Sequence, residues 1–97
     1  MINRERKKRV AFLYRQFLKE LKEISNKISV CEEAGDSLRY FIDNKGWLYS
    51  AEDYFKSDEF KKKFDSFRGS VLDVEMTFEN IKKIEQELRD IGELRND

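Results

Sequence analysis

The stretch Val10–Ile42, VAFLYRQFLKELKEISNKISVCEEAGDSLRYFI, decides the fold. Its apolar residues recur at alternating steps of four and three: Val10, Tyr14, Phe17, Leu21, Ile24, Ile28, Cys31, then Gly35, Leu38 and Ile42. Nine of these ten positions are apolar, with Gly35 the exception. A 3.5-residue period belongs to helices packed along a coiled-coil seam, whereas strands alternate every second residue. Leu13, Leu18 and Phe41 flank the seam and widen the stripe. Opposite charges at helical spacing, Glu5–Arg9, Lys19–Glu23 and Glu23–Lys27, support the same helix. Gly35 lies in Glu-Ala-Gly-Asp-Ser, which has the residues of a helix end and a fresh start. The register crosses it intact, so one helix over about 4–44 is predicted, with a weak point at Gly35.

Working outward, Asn44-Lys45-Gly46 reads as a stop, with Gly46 suited to a left-handed cap. Trp47-Leu48-Tyr49 is an apolar connector, and Ser50 reads as an N-cap with Glu52 and Asp53 in the first turn. Tyr49 and Tyr54 have the spacing of a hydrophobic staple across that cap. A second series follows: Phe60, Phe64, Phe67, Val71, Val74, Phe78, Ile81, Glu85, Leu88. It predicts a helix over about 51–92, ending at Gly92. The gap from Phe55 to Phe60, with Ser57-Asp58 inside it, marks a kink or a recapped start. Gly69 lies off the seam, where a continuous helix tolerates it at a cost of about 1 kcal/mol.

The fold class is therefore all-α: an antiparallel helical hairpin of two long amphipathic helices joined by a short loop. A three- or four-helix bundle is the alternative, with the segment 47–57 folded back over the open face. The 97 residues form a single helical domain. Residues 1–8 are expected to form a partly ordered basic arm and 93–97 a frayed tail.

Composition narrows the chemistry. Charged residues make up 41% and net charge is zero. There is no proline and no histidine, and Cys31 is the only cysteine. The chain thus lacks the strongest helix breaker, the usual general base and the commonest metal ligand. It has no cysteine–histidine zinc set and no partner for an internal disulfide. No run of about 18 apolar residues appears, so no membrane span is expected. Residues 1–10 are polar, without a signal-peptide core, which points to the cytoplasm or to export without a cleavable signal.

Charge is nonetheless unevenly placed: residues 1–30 carry nine Lys/Arg against three Asp/Glu, and the remainder is acidic. Arg4, Arg6, Lys7, Lys8 and Arg9, continued by Arg15, Lys19 and Lys22, form a candidate anion-binding face for nucleic acid or an anionic membrane surface. An antiparallel hairpin also sets this face beside the chain's own acidic end. Carboxylate pairs at helical spacing, Glu20/Glu23, Glu32/Asp36, Glu33/Asp36 and Glu75/Glu79, sit on polar faces without histidine and read as solvated surface. Cys31 occupies a seam position with no base to activate it and reads as a small hydrophobe. No catalytic, metal or cofactor site is expected.

Four apolar residues lie away from the seams: Phe12, Leu72, Met76 and, at the hairpin tip, Trp47. A two-helix hairpin gives each helix one neighbour, so extra apolar surface implies a protein partner or a second copy of the chain. These four are the candidate partner-binding residues.

Trp47 at mid-chain, followed by Ala51 and Phe55, resembles the loop of the small Trp-x-Gly helical-hairpin (ESAT-like) proteins of type VII secretion. The resemblance covers most of the chain in layout. The departures are Gly46 before the tryptophan and Tyr49 where the family has glycine. The family's Tyr-x-x-x-Asp/Glu spacing occurs here only at Tyr49–Asp53 and Tyr54–Asp58, at the start of the second helix rather than after it. The resemblance implies an antiparallel hairpin and an accessory or targeting partner of a larger secreted protein. Beside it stand two other readings: a small nucleic-acid-associated regulator, and a phage or plasmid inhibitor or immunity protein.

The flanking Leu48 and Tyr49 make Trp47 the expected plug over the loop end of the hairpin. Trp47→Ala then costs about 3–5 kcal/mol and lowers the melting temperature sharply. A shift of only a degree or two, with partner binding lost, identifies it instead as an exposed anchor.

Overall fold

The computed structural model describes residues 3–45 and 49–94. Three helices follow in order: α1, Asn3–Asn44; α2, Ala51–Lys56; and α3, Asp58–Asp90. Among the described residues there is no strand, and the fold is an all-α hairpin in which α1 and α3 pack against each other. Trp47 and Gly46 lie outside the described residues. α1 runs unbroken through Gly35 and includes residues 3–8, the expected arm.

The single helix expected over 51–92 is corrected to two. Ser50 caps α2 with a full capping box: its Oγ accepts from Asp53 N at 3.2 Å while its own N–H donates to Asp53 Oδ2 at 3.1 Å. Ser57 then leaves the helical region, at φ −77° and ψ 117°. Its N–H closes α2 on the Tyr54 carbonyl, and its Oγ accepts from Phe60 N at 3.1 Å to open α3. One serine ends one helix and starts the next. Gly92, at φ +80°, terminates α3 in a Schellman pattern, with Glu93 N–H donating to the Leu88 carbonyl and Gly92 N–H to that of Arg89.

The chain divides into two compact units. Unit 1 joins residues 1–25 with 75–97, and unit 2 is the stretch 26–74. In unit 1 the pairing is antiparallel: Arg6 reaches Glu93 and Arg9 reaches Glu87. Leu13, Ile24, Thr77 and Leu88 are buried there. In unit 2, Lys45 reaches Glu59, Lys63 donates to Ser37 Oγ at 2.7 Å, and Gly35 lies against the ring of Phe67.

Unit 2 is anchored by an aromatic cluster. Phe41, 1% exposed, meets Tyr49 edge-on at 5.6 Å, with Tyr54 and Phe60 at 6.3 and 6.2 Å. Tyr49 and Tyr54 form the expected staple at 5.5 Å. Such pairs add about 0.5–1.5 kcal/mol beyond area burial.

The seam is turned from the one the periodicity suggests. In heptad letters with Val10 as a on α1 and Phe60 as a on α3, the sequence stripe consists of columns a and e. The buried columns are a and d. On α1, Leu13, Ala34 and Phe41 are covered at d, while Tyr14, Leu21, Ile28 and Ile42 at e stay exposed. On α3, Ser70 and Thr77 at d are buried, while Phe64 and Phe78 at e are exposed at 45% and 49%. Small d residues (Ala34, Ser70, Thr77) alternate in the seam with large ones (Leu13, Phe41). Ser70 satisfies its hydroxyl by donating to the Phe67 carbonyl at 2.7 Å.

Phe41→Ala removes the centre of the aromatic cluster and is expected to cost about 3–5 kcal/mol. Phe55→Ala, at a side chain 73% exposed, changes stability by less than about 0.5 kcal/mol. Urea unfolding followed by circular dichroism checks both.

Candidate functional site

The e columns of both helices fall on one side of each helix pair. A step from a to e turns clockwise on one helix and anticlockwise on its antiparallel neighbour, viewed from one end, so the two columns converge. In unit 1 this face holds Tyr14, Leu21 and Phe78, with Leu18 one column further out and 64% exposed. In unit 2 it is an open groove of about 490 Å³, lined by Ile28, Cys31, Gly35, Phe67 and Val74 and edged by Glu32, Asp36 and Arg39. The bare backbone at Gly35 makes the hollow: a Cβ built there would stand 2.9 Å from Phe67 Cε2. Asp36 and Arg39 pair along the rim at 3.1 Å.

On the other side of unit 1 lies a smaller hollow of about 270 Å³, lined by residues that include Phe12, Gln16, Asn80 and Lys83. Here Arg9 stacks over Phe12 at 5.2 Å from the ring centroid. Phe12 and Met76 both sit in column c and Leu72 in column f, all exposed and none in the e columns. The off-seam residues of the sequence reading are thus on the surface, but apart from the larger apolar face. The sequence placed the e column inside the seam. The signal for the true arrangement was present in Leu13 and Phe41, which give α1 three apolar columns, one more than a single neighbour can cover.

The basic cluster is partly engaged by the acidic end of α3. Arg6 Nε donates to the Ile91 carbonyl at 3.2 Å and its Nη2 to Glu93 at 3.1 Å. Arg9 binds Glu87, with Nη2 donating to Oε1 at 2.6 Å. That hydrogen bond holds the Arg9 guanidinium above its ordinary pKa. Arg4, Lys7 and Lys8 are left exposed. No three His, Cys, Asp or Glu side chains gather as a metal site among the described residues. Nor, among them, is any helix long and apolar enough to cross a membrane.

No family model, curated protein or solved structure matches this chain.

With Arg6 and Arg9 held by carboxylates, six of the eight cations of this face, Arg4, Lys7, Lys8, Arg15, Lys19 and Lys22, are left for phosphates. Any nucleic-acid binding then follows a log–log salt slope no steeper than about −5 and is weak near physiological salt. A gel-shift titration measures it. Submicromolar affinity that disappears when Arg6, Lys7, Lys8 and Arg9 become alanine would instead make this face the site.

Proposed function

We propose that this chain is a non-enzymatic helical protein–protein interaction module. The observation that carries this reading is the apolar e face: large hydrophobic side chains on α1 and α3 are left outside the seam in both units, beside a hollow floored by Gly35. Exposed apolar surface of this extent, rimmed by charge, marks interaction sites on soluble proteins. An accessory or targeting role in type VII secretion is the specific form that the tryptophan-loop resemblance lends the reading. Its support is the helical hairpin and the neighbourhood of Trp47.

A photo-crosslinking residue placed in the cell at Leu21 or Ile28 is expected to form covalent adducts with protein, while one at exposed, polar Lys22 does not. No adducts from either e position, or adducts with nucleic acid in their place, contradict the reading.

A further inference from the structure

We infer that the N-terminal half of α1 is a docking surface for an anionic phospholipid bilayer, against which it lies flat without crossing. The inference goes beyond the interaction-module reading. It uses the outer columns of α1 in unit 1 and leaves the Gly35 groove of unit 2 to a protein partner.

The first argument is where the charges stand. Column f of α1 is the one farthest from the a/d seam, with b and then e beside it. Over residues 4–22 these three columns hold Arg4, Lys7, Lys8, Arg15 and Lys22 and no carboxylate, and Lys19 stands next to them in column c. All six cations are exposed. Arg6 and Arg9 turn to Glu93 and Glu87, whereas none of these six has an ion-pair partner among the described residues. The carboxylates of the same stretch, Glu5, Glu20 and Glu23, fall in columns c, d and g. The whole surface lies within unit 1.

The second is what stands among the charges. Cations alone suit any phosphate surface, and the apolar residues narrow the class. Leu18, 64% exposed, lies in column b between the cations of column f and the pair Tyr14 and Leu21 in column e, exposed at 40% and 41%. A phosphodiester backbone gives a leucine nothing to pack against. The boundary between headgroups and acyl chains accepts apolar side chains beneath a belt of Lys and Arg. A cluster of about 4–8 basic residues on such a helix is what an anionic leaflet attracts.

The third is screening of the chain's own acids. A plane laid against columns b and f has α3 behind α1. Packed helix axes are about 8–10 Å apart, close to the Debye length of about 8 Å at physiological salt. The acidic end of α3 therefore subtracts little from the attraction. On the e column of α3 the carboxylate is Glu85, and it is paired with Arg89 at 3.8 Å.

Sedimentation of the full chain with vesicles tests this. The chain is expected to pellet with phosphatidylcholine vesicles containing phosphatidylglycerol, and to stay in solution with phosphatidylcholine alone. Arg15→Glu with Lys22→Glu lowers the affinity by about a hundredfold or more. Leu18→Ser lowers it about fivefold, and circular dichroism shows unchanged helix content in both variants. No pelleting, equal binding to the two vesicle types, or wild-type binding by either variant overturns the inference. So does binding of duplex DNA or RNA more tightly than the anionic vesicles at the same salt, which makes the surface a nucleic-acid site. None of these outcomes touches the crosslinking test at Ile28, so the interaction module stands or falls separately.

Discussion

A helix with one neighbour buries two of its seven columns, and this constraint governs the whole molecule. α1 and α3 each carry three columns with apolar members: a, d and e. The pair satisfies a and d and leaves e outside. The choice comes at a cost in the seam itself. Column d includes Glu20, Lys27 and Lys63, and Glu20 turns Oε2 inward without a hydrogen-bond partner among the described residues. Lys63 finds Ser37, but a carboxylate oxygen without a partner is a real penalty. Columns a and e would have made a more apolar contact, yet Leu13, Phe41, Ser70 and Thr77, the most buried positions besides Ile24 and Leu88, all lie at d.

The loop end shows how local chemistry sharpens what periodicity blurs. Phe41 gathers Tyr49, Tyr54 and Phe60 around a nearly inaccessible ring. Tyr49 reaches it from just before the Ser50 cap of α2. For Phe60 to reach it, the chain must break again at Ser57. The two serine caps stabilise restarts that the packing demands. Neither the apolar count nor the 4,3 spacing contains this geometry, but the cap residues do.

Most of the architecture was legible in the residues: an all-α hairpin, the end of α1 at Asn44, the Ser50 cap, the Tyr49–Tyr54 staple and the stop at Gly92. All are local signals, set by side chains within a few positions. The Ser57 break was legible as a five-residue gap but not as a separate helix, because a kink and a recapped start leave the same spacing. What could not be read was the rotation of the seam. It depends on which columns of α1 and α3 fit together, a property of two distant segments jointly. Gly35 shows the limit well. On its own it reads as a weak point in α1, and only beside Phe67 does it become the floor of a groove. The candidate site was missed for the same reason: Tyr14, Leu21, Ile28 and Phe64 were counted as core because their spacing is that of a core.

The basic N-terminus illustrates the converse, a strong sequence feature that the fold itself uses only in part. Cations at a helix N-terminus oppose the dipole, and Arg6 and Arg9 offset this by crossing to Glu93 and Glu87. The Arg9–Glu87 pair is about 40% exposed on both sides, so solvent screens it and it contributes little to stability; it mainly fixes the register of unit 1. Register is what matters there, because a slip of one residue along α3 would move Ile84 and Leu88 off the seam. A hairpin held by a thin a/d core and a few exposed ion pairs gains much from any partner that binds only its folded form, by RT ln(1 + [L]/Kd). Leaving large apolar side chains such as Leu21, Ile28, Phe64 and Phe78 uncovered is costly for a solitary domain. It becomes intelligible when part of the chain's stability is supplied by whatever covers that column, so that folding and association are one linked equilibrium.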